Sequence, residues 1–200
     1  YGTGARMQKK LPDCTVLDGC IYVSASLEHP GVLVQHGPIL RVVFGPRDPS
    51  YISPILSAIQ SDLCESGIDG VLSTHIQRDA LEKFSYVSPI GASGVYLHAV
   101  AGDFQKEGAA RELFKSMIRE ISALAAAMGY PFEKDYVKID LEILSNLSAD
   151  ATTSMQRDIM EGKPSELDGL VMEPLRLAKK YSVSMPCYEE VANVLCPLEF

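Results

Sequence analysis

The sequence predicts an α+β chain in two parts, a strand-rich first third and an all-helical remainder. Three observations predict it. Between residues 15 and 45 the chain runs in β-branched bursts, Cys20-Ile-Tyr-Val-Ser24, Val32-Leu-Val-Gln35 and Ile39-Leu-Arg-Val-Val-Phe44. His29-Pro-Gly31, His36-Gly-Pro38 and Gly45-Pro46 separate the bursts, and such punctuation is turn chemistry, so three strands in a meander are expected. After Arg78 strand signals nearly vanish, and 107–128 carries Ala110, Leu113, Met117, Ile121, Leu124 and Met128 at helical spacing before Gly129-Tyr-Pro131 ends it.

The elements follow in order. Tyr1-Gly-Thr-Gly-Ala5 offers a GxG, but Met7 stands where a third glycine is needed and no strand precedes it. It reads as a flexible turn. Residues 51–66 show helical spacing (Ile55, Leu56, Ile59, Leu63), and 71–76 reads as a short strand. Residues 79–101 read as a helix that absorbs Pro89 and Gly91 or breaks there. Segments 134–147, 152–161, 166–181 and 188–195 complete a helical set. The boundary falls near residues 76–80, dividing the chain into 1–76 and 77–200. Three or four strands need a covering layer that one helix hardly supplies. The first part therefore reads as the tail of a larger α/β domain joined to a complete helical domain. No internal repeat is evident.

Composition narrows the function. At 46% hydrophobic and 22% charged, the chain has the make-up of an ordinary globular protein. Its net charge of −8 disfavours nucleic acid or an anionic membrane as partner, while one or two placed cations can still bind an anionic metabolite. Five cysteines (Cys14, Cys20, Cys64, Cys187, Cys196) without a CxxC pair, and four scattered histidines, give no metal-ligand spacing. Free, mostly buried thiols in a reducing cytoplasm are expected. Neither a signal peptide nor an apolar run long enough for a membrane span is visible.

Two polar segments stand out among apolar neighbours: Ser154-Met-Gln-Arg-Asp158-Ile159, and Ser165-Glu-Leu-Asp-Gly169 after Gly162 and Pro164. Each also has a plain structural reading. Thr152 or Thr153 caps a helix whose surface carries Asp158, and Ser165 caps the next with Asp168 at its third position and Glu166 favouring the helix dipole. Ser154 and Asp158, four apart, share a helix face. Lys83 reads as a solvated helix lysine.

Together these pieces resemble a family. The order Glu82-Lys83-Phe84, Ser154-Met-Gln-Arg-Asp158, Gly162-Lys-Pro-Ser-Glu166-Leu-Asp168-Gly169 and Val183-Ser-Met-Pro186 is similar to the ketopantoate reductases (2-dehydropantoate 2-reductases). Val16-Leu-Asp-Gly19-Cys-Ile-Tyr-Val-Ser-Ala25 and Pro30-Gly-Val32 resemble the closing strands of that family's nucleotide domain. The resemblance spans essentially the whole chain. It implies a Rossmann domain binding NADPH, of which residues 1–76 are the C-terminal remnant. Residues 77–200 are then an all-α substrate and dimerisation domain like the C-terminal domain of 6-phosphogluconate dehydrogenase, with a cleft between the two. The family's glycine loop is not in this chain, which on this reading is a fragment that binds NADPH poorly and does not turn over alone.

The resemblance also assigns residues. Lys83 matches the catalytic lysine, whose ammonium stabilises and then protonates the oxygen of the reduced ketone. Glu166 matches the glutamate that orders the site near lysine and cofactor. Ser154, with Thr152 and Thr153, matches the hydroxyl segment that holds the substrate carboxylate, and Ala25 falls where backbone approaches the cofactor. Asp158 reads as structural. There are departures: Leu81 stands in place of a common tryptophan, and Val87 and Gly91 occupy positions where many members grip substrate with asparagine. Ser85, Ser88 or Ser93 are candidate substitutes, although a hydroxyl lacks an amide's paired donor and acceptor.

The expected activity is NADPH-dependent reduction of 2-dehydropantoate to D-pantoate, on the route to pantothenate and coenzyme A. The alternatives are a related reductase making another branched D-2-hydroxy acid and a non-catalytic helical interaction module. A cytoplasmic homodimer through the helical part is expected, on apolar faces carrying Ile118, Leu124 and Ala125.

Overall fold

The computed structural model describes residues 1–51 and 53–196. The chain divides into two compact units, Gly2–Ala80 and the residues from Leu81 onward, with the division inside one helix.

The first unit holds α1 (Thr3–Lys10), β1 (Leu17–His29), β2 (Val32–Pro46), α2 (Pro54–Glu65) and β3 (Asp69–Leu72). β1 and β2 are one long antiparallel hairpin, turned at Pro30-Gly31 with Gly31 at φ 86°. The chain then crosses through α2 to lay β3 parallel to β2, giving the order β1-β2-β3. The expected three-strand meander is therefore corrected. The bursts 32–35 and 39–44 belong to the same strand, and His36-Gly37-Pro38 is absorbed between the pairs Val23↔Leu40 and Ala25↔Gln35. Extra residues in one strand of a pair make a bulge, and Gly37 at φ 86° supplies the conformation it needs. The expected flexible turn at the N-terminus is also corrected, because Thr3–Lys10 is helical with Gly2 at φ 82° before it. Cys20, Val43 and Ile76 form the small core, while the other hairpin face leaves Ile21, Leu27 and Leu33 exposed. Asp18 accepts hydrogen bonds from Arg47 and Gln77.

The second unit is built from most of α3 (Ile76–Leu97), then α4 (Ala101–Gln105), α5 (Ala109–Ala127), α6 (Tyr136–Ser145) and α7 (Ser154–Met160). A π-helical turn (Asp168–Met172) runs into α8 (Glu173–Tyr181), and α9 (Pro186–Leu195) closes the set. α3 runs through Pro89 without breaking. The helical spacing of 107–128 works out as a helix surrounded by partners: Phe114, Met117, Ile118, Ile121, Leu124 and Ala125 of α5 are all buried. One core gathers Phe84, Met117, Ile121, Tyr188 and Val191; the other gathers Phe104, Phe114, Ile118 and Leu144. Burial of each such side chain contributes about 1.5–3 kcal/mol. Ile118, Leu124 and Ala125 are therefore interior, which corrects their expected role as a dimer face: α4, α6, α8 and α9 all pack on α5.

α9 starts on a partner from elsewhere in the chain. The Glu120 carboxylate of α5 accepts the backbone N–H groups of Cys187 at 2.8 Å and Tyr188 at 3.1 Å, which satisfies two donors that a helix start leaves open. None of the five cysteines is in a disulfide, and only Cys20 is buried; Cys14 and Cys64 are exposed and Cys187 and Cys196 are half-buried, against the expectation of mostly buried thiols. Among the described residues no helix is long and apolar enough to cross a membrane, and no group of three or more His, Cys, Asp or Glu is placed to hold a metal ion.

Candidate active site

The helix that carries Lys83 also carries the docking face for both polar segments. Lys83 is half-buried on α3. Ser88, Gly91 and Gly94 follow at intervals of three, so they lie along one side of the helix. The Ser88 hydroxyl donates to the Leu170 carbonyl at 2.6 Å. A Cβ at position 91 would stand 3.1 Å from Met155 Cε, 3.7 Å from Leu170 Cδ1 and 4.0 Å from Thr153 Oγ1. At position 94 it would meet the Gln156 side-chain amide at 2.8–2.9 Å. Small residues here let the start of α7 and the π-turn approach α3 closely.

The start of α7 is fixed by a reciprocal cap. Thr153 Oγ1 accepts the Gln156 N–H at 3.2 Å, and Gln156 Oε1 accepts the Thr153 N–H at 2.9 Å and its hydroxyl at 3.1 Å. Gln156 Nε2 then donates to the Ala99 carbonyl at 2.7 Å, tying α7 to the chain just beyond α3. Of the two residues read as possible caps, Thr153 is the one used. Gln156 was passed over as a member of the motif, although the Thr-x-x-Gln spacing is a capping-box signal. Arg157 donates to the Thr152 carbonyl at 2.8 Å. Ser154 is exposed in the first turn of α7, and its hydroxyl is engaged by none of the described residues. Asp158 sits one turn further along the same helix, half-buried.

The second segment opens differently from the expected Ser165–Asp168 capping box. Asp168 is turned to Arg176 instead, with Arg176 Nη1 and Nη2 donating at 2.8 and 2.9 Å. Guanidinium and carboxylate meet there in two parallel bonds. Glu166 is exposed just ahead of the π-turn, and its carbonyl accepts the Leu170 N–H at 2.8 Å.

The three serines considered as substitutes for an asparagine grip are all fully buried and occupied internally. Ser85 shares its one hydroxyl proton between the Glu82 carbonyl at 2.7 Å and Asp140 at 3.1 Å, Ser88 donates to Leu170, and Ser93 donates to the Pro89 carbonyl at 2.6 Å. Val87 is half-buried, and Gly91 is buried against Met155 and Leu170. Ala25, in the first unit, is exposed on β1 opposite Gln35. The Gly2-Thr-Gly4 segment makes no phosphate cradle, because the Asp18 carboxylate stands where a Gly4 Cβ would be. An acid at that point repels a pyrophosphate.

Asp140 is a titratable group the sequence reading missed. It is buried on α6 and 1% exposed, with Ser85 donating to it. Burial pushes its carboxyl from 3.8 up to about 7, against the opposing pull of the Ser85 hydrogen bond. The neighbouring Tyr86 phenol is pushed up to about 12, by burial first and by Asp140 second. Nothing in Lys138-Ile-Asp140-Leu141 distinguishes this acid from an ordinary polar helix position.

Comparison with known proteins brings the same family forward. The sequence model of the ketopantoate reductase PanE/ApbA C terminal matches residues 75–199. A 2-dehydropantoate 2-reductase of Nostoc is 21% identical over 189 residues, covering 92% of this chain and 59% of that protein. The crystal structure of 2-dehydropantoate 2-reductase from Methylococcus capsulatus superposes with a TM-score of 0.86 at 22% identity, over 98% of this chain and 62% of that one. A D-mandelate dehydrogenase solved with NADH and anilino(oxo)acetate superposes with a TM-score of 0.82 at 18% identity, over 97% of this chain and 63% of that one. The chain thus spans about three fifths of the length of these relatives, and its fold is theirs.

Proposed function

Because the chain belongs to the ketopantoate reductase family, we propose that it forms the acid and carboxylate-holding side of an NADPH-dependent 2-oxoacid reductase in the cytoplasm. The reaction we assign is reduction of 2-dehydropantoate to D-pantoate, serving pantothenate and coenzyme A synthesis. When bound, NADPH supplies the hydride. The Gly2-Thr-Gly4 segment is closed to its phosphates by Asp18, so the roles assigned to this chain lie at the substrate and at the nicotinamide end of the cofactor. The Lys83 ammonium faces the C2 oxygen as negative charge grows there and delivers the proton that completes the alcohol. Glu166 orders the lysine and the nicotinamide end of the cofactor, which Ala25 approaches through its backbone. The Ser154 hydroxyl holds the substrate carboxylate, with Thr152 and Thr153 shaping the same turn.

One observation carries this reading: the Ser154 and Glu166 segments both dock on the helix that bears Lys83, within eleven residues of it. A second reading, reduction of another branched 2-oxoacid, is favoured by a specific feature. Position 91, where many relatives have asparagine, is filled from outside by Met155 and Leu170, and Ser85, Ser88 and Ser93 are already committed. A site without such amides loses selectivity for a substrate hydroxyl. Steady-state assays of the full-length gene product on ketopantoate, 2-oxoisovalerate and 2-oxoisocaproate test both readings. The highest kcat/KM on ketopantoate supports the first, and a higher value on either of the others replaces it with the second. Lys83→Ala should lower kcat by about two orders of magnitude or more, in the range set by general acid catalysis. Near-normal turnover would refute the mechanism.

A further inference from the structure

The π-helical turn after Glu166 has a cause that can be traced to one residue. In an α-helix the Leu170 carbonyl would accept the N–H of the residue four positions on, which is Pro174, and proline has none. The turn widens at this place, with the Glu173 N–H reaching back five residues to the Asp168 carbonyl. The Ser88 hydroxyl supplies the donor that Pro174 lacks, reaching Leu170 O at 2.6 Å from the far side of the seam. A serine has a single O–H to donate. Since Ser88 spends it on Leu170, the hydrogen bond between Ser88 Oγ and Tyr188 must be donated by the tyrosine. Tyr188 is fully buried, and burial holds its phenol above the ordinary tyrosine value, so the donor proton stays in place. The result is a relay, Tyr188 to Ser88 to Leu170, that ends on the turn carrying Glu166. The same Leu170 donates its N–H to the Glu166 carbonyl at 2.8 Å.

Resting on the role proposed above for Glu166, we propose that Ser88 is a positioning residue. Its hydroxyl, oriented by Tyr188, clamps the π-turn in the register that sets Glu166 relative to Lys83, five residues before Ser88 on the same helix. Ser88 touches no substrate. It acts by replacing a hydrogen bond that Pro174 removes, and so makes the geometry of the turn depend on α3 rather than on the turn's own sequence.

The test combines hydrogen exchange with kinetics on the full-length gene product. In Ser88→Ala the amides of Leu170 and Glu173 should exchange about tenfold faster or more, while Met117 and Ile121 in α5 keep their protection. Turnover should fall about tenfold with KM changing less than about twofold, as expected when a group is held slightly out of place. Ser88→Ala also strands the Tyr188 hydroxyl in the core, so the double variant Ser88→Ala/Tyr188→Phe removes both partners. The double variant should recover the part of the thermal stability lost with the stranded phenol, the Leu170 carbonyl still wanting its donor, but not kcat, which separates lost positioning from lost folding. Ser88→Thr keeps the hydroxyl and should restore both exchange and turnover. Unchanged exchange at Leu170 and Glu173 overturns the proposal. So does faster exchange with wild-type kcat in an enzyme that Glu166→Gln impairs. If Glu166→Gln itself leaves turnover intact, the role given to Glu166 falls, and the exchange data still decide whether Ser88 holds the turn.

Discussion

Asp140→Asn should change how stability depends on pH. The carboxyl is 1% exposed, packed between α3 and α6, with one hydrogen bond from Ser85. In the folded chain its pKa is raised from 3.8 to about 7, chiefly by burial. The folded state therefore holds the proton more tightly than the unfolded state. The associated stability is complete below about pH 4, declines by about 1.4 kcal/mol per pH unit above it, and is lost above about pH 7. From 3.8 to about 7 this amounts to on the order of 4 kcal/mol. Asparagine has nearly the same shape, keeps an oxygen for the Ser85 hydroxyl and does not titrate. The stability of Asp140→Asn relative to the parent should rise by a few kcal/mol between about pH 4.5 and pH 8. Urea unfolding followed by far-UV circular dichroism across that range measures it, and comparing the two proteins cancels every other titrating group. A difference that stays flat within about 1 kcal/mol would refute the assignment of a protonated buried acid.

Three further substitutions probe the packing around the site and the capping of α9. Gly94→Ala forces a Cβ to 2.8 Å from the Gln156 amide, which is held by Thr153 and Ala99, and should cost about 1–3 kcal/mol in chemical denaturation. Gly91→Ala is tight only against the flexible end of Met155 at 3.1 Å, with Leu170 and Thr153 at ordinary contact distance, so it should cost less than Gly94→Ala; the reverse order would show that Gln156 is not the rigid partner. Glu120→Ala leaves the Cys187 and Tyr188 N–H groups without their acceptor and should lower stability by about 1–3 kcal/mol; an unchanged midpoint would mean that water replaces the carboxylate there.

Much of the helical part was legible because its cores are built from periodic apolar residues. Residues 107–128 announce α5 by spacing alone, and Gly129-Tyr-Pro131 marks its end. Punctuation misled where it was reused. His36-Gly37-Pro38 has turn composition but sits in a bulge, because pairing with β1 resumes on both sides of it. α1 was hidden by two glycines, of which Gly4 serves a close approach to Asp18 and Gly2 takes the positive φ that precedes the helix. At the candidate site, Thr153 could be read as a cap because its partner Gln156 is three residues away. The relay from Tyr188 through Ser88 could not, since it joins residues 100 positions apart. Nor could Asp140, whose burial depends on how α3 and α6 meet. Local chemistry leaves a trace in sequence, whereas long-range compensation leaves one only in hindsight, as Pro174 does.

The seam along α3 also bears on how this chain tolerates changes in length. Lys83, Ser88, Gly91 and Gly94 keep their bearings only because a fixed number of residues separates them on one helix. Inserting or deleting a single residue between Lys83 and Ser88 would turn everything beyond it by about 100° and slide it about 1.5 Å. The lysine would then be out of phase with both segments docked downstream, however intact each remained. A loop such as 129–134, which bears none of these contacts, could gain or lose a residue without altering that phase. Residues 83–94 thus act as a ruler, on which the count of residues matters as much as their identity.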